Sequence, residues 1–189
     1  PRSSASSQQE LLGGGSTSSS SVQGHIQFAG YRFGVRKYTV TTGFDIDTYT
    51  NTQFTSSTAW NHFVIAYDST LSETDRVKIW ANGVPETLVA AGGAATVTYP
   101  DFEEAIRINQ SGWNHKIGRR TFSSAYWFDG QLAENHFIDG TAYDASYFGE
   151  FRGGVWLPKE VTGVTYGTNG FYLDFADNTA LGTDVSGNG

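Results

Sequence analysis

Pairs of carboxylates are the first residues in this sequence that could do chemistry. Hydrolysis of a glycosidic bond needs two of them, about 5 to 10 Å apart across the scissile bond. Asp45 and Asp47 would share one face of a strand, but no third acid continues the pattern. Glu103 and Glu104 are adjacent and would point to opposite faces. We interpret these acids as solvated loop residues, so a glycan-cleaving enzyme is the weakest function that the sequence suggests.

Histidine, serine and thiol chemistry also have little support. The histidines lack the His-x-x-x-His and His-Glu-x-x-His spacings of zinc sites, and we interpret His62 as a packed structural residue. No Gly-x-Ser-x-Gly run marks a serine nucleophile, and there is no cysteine for catalysis, disulfides or zinc. We therefore predict that the protein is not an enzyme and has no cofactor, with calcium as the one ion to consider.

Oxygen-bearing side chains crowd the end of the sequence and suggest where calcium would bind. This ion takes six to eight oxygen ligands from carboxylates, amides and backbone. The alternative is that these side chains form turns onto their own backbone, as Asp and Asn commonly do. The candidate ligands are Asp177, Asn178, Asp184 and Asn188.

Aromatic residues flanked by turns suggest carbohydrate binding. Sugars stack their C–H faces on aromatic rings and bond their hydroxyls to a few polar groups. The alternative for any one ring is that it fills the core of a protein without Met or Cys. The candidate sugar-binding residues fall in two segments: Trp113, Asn114 and His115 in the first, Tyr126 and Trp127 in the second.

The charge balance limits the partners. Lys and Arg total 12 against 19 Asp and Glu, which gives a net charge of −7 over 189 residues. We therefore predict no nucleic-acid partner, because phosphate neutralisation supplies most of that affinity, and no charge-driven membrane binding. No apolar stretch approaches the roughly 20 residues that cross a membrane. The sequence lacks Met and opens at Pro1, so we expect it to be part of something longer.

Composition and alternation predict an all-β fold. The sequence has 28 aromatic residues (5 Trp, 10 Tyr, 13 Phe) and 23 Gly, which suit strands and turns rather than helices. Val77, Ile79 and Ala81 alternate on one face, and Asn82-Gly83 then provides a two-residue hairpin turn. Pro85 places the returning strand at a sheet edge or bulge. Strands at this spacing suggest an antiparallel sandwich of two sheets, of the jelly-roll kind.

The domain organisation follows from the same patterns. Residues 1–24 are rich in Ser, Gln and Gly, and we expect a flexible loop or linker there. Residues 25–175 carry the alternating strands of the sandwich. Residues 176–189 are expected to begin a following segment or a second sandwich domain.

The central motifs resemble the concanavalin A-like, laminin-G-like sandwich family. The order and spacing match from about residue 58 to residue 140. The resemblance implies the jelly-roll fold of that family, including lectins and glucanases. The motifs are Trp60-Asn61-His62-Phe63, Tyr67-Asp68, Ile79-Trp80-Ala81-Asn82-Gly83, Ile117-Gly118, and Phe128-Asp129-Gly130 through Glu134.

A narrower likeness, over about residues 1–189, is to large virion proteins of bacteriophages, especially marine ones. It implies a non-enzymatic structural or adhesion domain, such as a tail fibre, appendage or capsid decoration on the particle surface. The alternative is a purely architectural subunit. The motifs are Phe137-Ile138-Asp139-Gly140, Tyr147-Phe148-Gly149-Glu150, Gly154-Val155-Trp156-Leu157-Pro158-Lys159, Tyr166-Gly167-Thr168-Asn169-Gly170-Phe171-Tyr172-Leu173-Asp174-Phe175 and Asp184-Val185-Ser186-Gly187-Asn188-Gly189.

The likeness also implies partners and an incomplete start. The expected partners are other virion proteins or identical chains in a homo-oligomer, together with a host-surface glycan for attachment. Relatives of this kind begin with two further strands, and Pro1-Arg2-Ser3-Ser4 resembles the tail of the second. We therefore expect the N-terminal strands to be missing, which would leave unpaired backbone groups and apolar surface.

Overall fold

A computed structural model describes residues 8–16, 22–123 and 125–188. These residues form antiparallel sheets and no α-helix, with short 3₁₀ turns at Glu73–Asp75, Ala91–Gly93 and Ala145–Tyr147. None of the helices formed by this part of the chain is long and apolar enough to span a bilayer. The strands are β1 (Gln9–Ser16), β2 (Val22–Ala29), β3 (Arg32–Thr39), β4 (Gly43–Thr50), β5 (Phe63–Tyr67), β6 (Val77–Ala81), β7 (Val84–Pro85), β8 (Leu88–Val89), β9 (Trp113–Ile117), β10 (Asn135–Phe137), β11 (Gly149–Arg152), β12 (Val155–Pro158) and β13 (Phe171–Leu173).

The larger sheet has six strands in the order β8-β4-β3-β2-β1-β9. Its central hairpin joins β2 to β3 through Gly30 and Tyr31, whose φ angles are 56° and 67°. Two successive left-handed residues match the right-handed twist of the flanking strands, which is why two-residue hairpins favour this geometry.

The smaller sheet confirms the predicted hairpin. Its order is β5-β6-β7, and the turn from β6 to β7 contains Asn82 and Gly83 at φ 49° and 75°. Pro85 lies on the edge strand β7, opposite Trp80. The remaining strands form two separate pairs, β10 with β13 and β11 with β12.

The core lies between the larger sheet and the β5–β6 hairpin, in a sandwich-like arrangement. Val77 and Ile79 of β6 are 1% exposed and pack into one cluster with Phe28, Phe33 and Val35 of the larger sheet. The alternation of inward residues is therefore confirmed for these strands. The all-β antiparallel prediction is also confirmed, at the level of stacked sheets.

The expectation of a loop over residues 1–24 is wrong where Gln9–Ser16 forms β1 and where β2 begins at Val22. The glycines there serve close packing rather than flexibility. A side chain at Gly14 would collide with the backbone oxygen of Arg107, and one at Gly24 with that of Ile106. Residues 1–7 and 17–21 of that predicted loop lie outside the described residues.

The end of the described chain returns to the sandwich. Val185 donates its backbone N–H to the carbonyl of Tyr172 at 2.9 Å. Asn188 donates its amide to the carbonyls of Gly167 and Gly170. Although a new segment was expected to begin at residue 176, residues 184–188 are held against β13.

Candidate functional site

The first predicted sugar-binding segment lies on the edge strand β9. Asn114 and His115 are exposed, and Trp113 is half-buried. Nε2 of His115 accepts a hydrogen bond from the backbone N–H of Asn109 at 2.9 Å. The Arg107 guanidinium lies 5.8 Å from the centre of the Trp113 ring. His115 therefore has a structural partner, while Asn114 and one part of the Trp113 ring face solvent.

The second segment presents two neighbouring exposed rings, each paired with an arginine. Tyr126 is 40% exposed and Trp127 is 54% exposed. The guanidinium of Arg120 lies 3.9 Å from the centre of the Tyr126 ring, and that of Arg119 lies 4.6 Å from the Trp127 ring. We call these four residues the aromatic–arginine patch.

The two segments do not come together. Trp113 pairs with Ser16 at one end of β1, whereas the carbonyl of Tyr126 accepts the N–H of Glu10 near the other end. Six residues of extended chain separate these points, or about 20 Å. The five predicted sugar-binding residues thus lie at two places along one sheet edge.

A buried cluster of charged and polar groups holds Arg120 in place beneath the Tyr126 ring of the patch. Glu10 is fully buried, and its Oε1 lies 2.7 Å from Nδ1 of His25, a hydrogen bond in which the imidazole donates. Nε of Arg120 forms an ion pair with the other oxygen of Glu10 at 3.5 Å. Nη2 of Arg120 donates to Oε1 of Gln27 at 2.9 Å. These contacts hold the guanidinium in one orientation under the Tyr126 ring.

The same cluster continues into the outer face of the larger sheet. Nε2 of Gln27 donates to the hydroxyl of Tyr49 at 2.6 Å. Tyr49 is completely buried, and burial raises the pKa of its hydroxyl to about 12. Sequence reasoning missed this cluster because Glu10 lies in a polar stretch interpreted as a loop. The available signal was the polar partner face of β2, where His25 and Gln27 alternate with Ile26 and Phe28.

A second cluster gathers His62, His136 and aromatic rings beside the β11–β12 hairpin. Nδ1 of His136 and the Tyr166 hydroxyl lie 2.7 Å apart, and the His136 ring stacks on Tyr172 at 4.1 Å. A cavity of about 310 Å³ lies between His62, Glu134, His136 and the chain after β12. Burial lowers the pKa of both histidines, which favours their neutral forms. His62 thus has the packed surroundings expected of it.

The predicted calcium ligands bond mainly to nearby backbone. Oδ1 of Asp177 accepts from the N–H and hydroxyl of Thr179, which lowers the Asp177 pKa. Oδ1 of Asp184 accepts the N–H groups of Tyr172 and Ser186, which lowers the Asp184 pKa. Asn178 is exposed, and Asn188 bonds to carbonyls as described above. The described residues contain no group of three or more His, Asp or Glu that could hold a metal, so calcium stays a prediction.

Comparison with known proteins does not identify a family. No family model matches the sequence, and no match is found among curated proteins or solved structures. The resemblance to laminin-G-like virion domains therefore stays a prediction drawn from motifs. Among the exposed groups of the described residues, the aromatic–arginine patch has the chemistry of a binding site: two exposed rings, each beside a guanidinium that carries hydrogen-bond donors, with that of Arg120 held in place.

Proposed function

We propose that this protein is a non-enzymatic structural and adhesion domain that binds carbohydrate through the aromatic–arginine patch. The observation that carries the proposal is the exposure of Tyr126 and Trp127 as neighbours, each within 5 Å of an arginine guanidinium. A ring without a partner is an ordinary surface feature. Two exposed rings at consecutive positions, each with a guanidinium beside it, offer the groups that a sugar needs.

The physical basis is a match between two kinds of group. The C–H face of a pyranose stacks on an aromatic ring through dispersion and the hydrophobic effect. Its hydroxyls accept hydrogen bonds from guanidinium N–H groups, which carry five donors in a fixed plane. The buried contacts of Arg120 with Glu10 and Gln27 orient its guanidinium before binding. Less side-chain entropy is then lost when the sugar binds.

The biological setting that we propose is the surface of a bacteriophage particle, where the domain attaches to a host-surface glycan. The jelly-roll topology of concanavalin A-like proteins is supported by the resemblance of the motifs from about residue 58 to residue 140, and the virion setting by the likeness over about residues 1–189. An exposed binding patch on a domain that is otherwise a stacked-sheet scaffold suits an appendage or capsid decoration.

A glycan array tests the proposal, with calcium and with a chelator in parallel. Trp127→Ala removes the more exposed ring, and we expect it to weaken binding roughly tenfold or more, since tenfold corresponds to about 1.4 kcal/mol. Trp113→Ala, at the other end of the sheet edge, is the matched control and should retain affinity. An array with no bound glycan, or equal affinity for the two variants, would reject the patch as a sugar site.

The second candidate function is assembly with other virion proteins or identical chains. The β11–β12 hairpin favours it, because Val155 and Leu157 alternate on one face and are 60% and 42% exposed. Adjacent exposed apolar side chains on a strand are common where a protein contacts a partner. Light scattering tests this: the unmodified protein should form a symmetric oligomer, and the double variant Val155→Asp, Leu157→Asp should be monomeric. A monomeric unmodified protein that binds no virion component would count against it.

A further inference from the structure

The part of the chain that forms the aromatic–arginine patch has a charge opposite to that of the protein as a whole. Residues 105–128 contain four of the 12 Lys and Arg and none of the 19 Asp and Glu. Charges more than about 10 Å apart are largely screened at about 0.1 M salt. A ligand at the patch therefore responds mainly to the charges close to it, and not to the net charge of −7. The four cations are Arg107, Lys116, Arg119 and Arg120.

The charge of Arg120 is already compensated inside the protein. Its Nε pairs with the buried carboxylate of Glu10. Its Nη2 donates to Oε1 of Gln8 at 3.0 Å and to Oε1 of Gln27 at 2.9 Å. These bonds occupy the guanidinium that supports the Tyr126 ring, so Arg120 is not the residue that needs an anion.

The half-buried Arg119 has no such compensation. Its Nε is buried and has no hydrogen-bond partner among the described residues. None of the ion pairs in the described part of the chain includes Arg119, and the rest of the sequence contains no Asp or Glu side chain. Burial removes water from a cation and is unfavourable unless a partner replaces it. A bound anion would supply that partner.

Lys116 adds to the positive charge next to Arg119. Its Nζ donates to the carbonyl of Thr121 at 3.0 Å, two residues beyond Arg119. No Asp or Glu of the described ranges forms an ion pair with Lys116. The uncompensated charges near Arg119 along the chain are therefore cationic, which attracts an anionic ligand.

We propose that the sugar bound at the aromatic–arginine patch is acidic: a pyranose with a carboxylate, which Arg119 binds. This proposal rests on the carbohydrate-binding function proposed above and narrows the ligand class of the same site. A guanidinium presents its N–H groups in a planar fork that matches the two oxygens of a carboxylate, and such charge-assisted bonds are about twice as strong as neutral ones. A neutral sugar would leave the charge of Arg119 without a counter-ion.

The position of Trp127 fits a sugar that is held in two ways. The ring is 54% exposed, so a pyranose can place its C–H face against the open part. The Arg119 guanidinium lies 4.6 Å from the centre of the same ring, within reach of a substituent on the stacked sugar. Trp127 is then the stacking residue and Arg119 the anion-binding residue, while Arg120 is a positioning residue for Tyr126.

Paired oligosaccharides test the proposal. The acidic member of each pair is built of galacturonic, glucuronic, mannuronic or N-acetylneuraminic acid units, and the neutral member is the same chain with each carboxyl reduced to a primary alcohol. We expect the unmodified protein to bind at least one acidic chain about tenfold or more tightly than its reduced partner, because hydrogen bonds between charged groups are worth more than neutral ones. Isothermal titration calorimetry measures both affinities.

Variants at Arg119 locate the preference. Arg119→Gln should weaken binding of the acidic chain about tenfold or more and leave the reduced chain within about twofold. Arg119→Lys keeps the charge without the planar fork and should recover part of the loss. Lys159→Gln is the matched control, since it removes the same charge from an exposed lysine outside the patch, and it should change neither affinity.

The acidic ligand and the sugar site itself can fail separately. Equal affinity within every pair, equal loss of both members in Arg119→Gln, or the same loss in Lys159→Gln would overturn the acidic ligand alone. Failure of every acidic chain to bind, with a neutral glycan bound on the array, would do the same. Single-stranded DNA or a sulfated galactan bound as tightly as the acidic chain, and unaffected by Trp127→Ala, would overturn both. So would the absence of any bound probe or array glycan.

Discussion

The indole N–H of Trp156 donates a hydrogen bond to Nδ1 of His62 at 3.1 Å. This contact joins the β11–β12 hairpin to the residue just before β5, although 94 positions separate the two in sequence. The Trp156 ring also lies against Gly83 at the β6–β7 turn and against Gly149. One side chain therefore fastens the hairpin to the smaller sheet.

Loss of this hydrogen bond should destabilise the protein. Trp156→Phe keeps an aromatic ring but removes the indole donor, and the half-buried Nδ1 of His62 loses its partner. We expect the free energy of unfolding to fall by about 1 to 2 kcal/mol, the usual range for such a loss. Urea unfolding measures it. Trp127→Phe, on an exposed ring, is the control and should unfold like the unmodified protein; an equal effect would contradict the structural role.

Stability should decrease as the pH falls from about 7 to about 5. Burial lowers the pKa of His62, His115 and His136 below the ordinary value of 6.5. Below that value the unfolded chain binds protons that the folded protein excludes. The free energy of unfolding therefore decreases as the pH falls. Urea midpoints measured at several pH values should show this slope. His62→Gln should make it shallower, and an unchanged slope in that variant would argue against this origin.

Two glycines with the same backbone angle should respond differently to substitution. Gly83 and Gly112 both have φ 75°, so alanine is strained by about 1 kcal/mol at either position. At Gly83 the new Cβ would also overlap the ring of Trp156, whereas at Gly112 nothing lies within 4 Å. We expect Gly83→Ala to lower the unfolding free energy by at least about 2 kcal/mol more than Gly112→Ala. Equal losses would show that Trp156 does not pack there.

The buried carboxylate of Glu10 should be needed for stability. Glu10→Gln removes the negative charge that pairs with Arg120 and leaves a largely buried cation without its counter-ion. We expect a loss of about 3 kcal/mol, as when one partner of a buried pair is removed. Glu150→Gln, in the exposed pair with Arg152, is the matched control and should have no measurable effect. Similar losses in the two variants would contradict the burial of Glu10.

Local patterns predicted the parts of the fold that depend on local physics. The alternation of Val77 and Ile79 specified the inward face of β6, and Asn82-Gly83 specified the turn, because both signals lie within a few residues. Pro85 at an edge is likewise confirmed, since it lacks the N–H that a central strand needs. These features require no knowledge of distant contacts.

Features that depend on distant contacts could not be read in the same way. Gly13-Gly14-Gly15 has the composition of a linker, and only contacts made in the folded chain show why glycine is needed at Gly14, where the backbone of Arg107 and Ile108 lies too close for a side chain. Glu10 and Arg120 are 110 positions apart, so their pairing is invisible in any local pattern. Spacing also could not show that Trp113 and Tyr126 lie at opposite ends of β1. Of the predicted sugar-binding residues, Tyr126 and Trp127 each lie against an arginine guanidinium, whereas Trp113, Asn114 and His115 lie toward the other end of β1, and sugar binding itself stays a prediction.

Pro85 on β7 makes the two borders of the smaller sheet unequal in their ability to accept another strand. Pro85 offers no N–H at the outer border, where an approaching chain would otherwise dock. The opposite border, along β5, retains its donors. A further strand can therefore pair with this sheet at the β5 border more readily than at the β7 border. Edge-to-edge association of copies of the protein is disfavoured at β7.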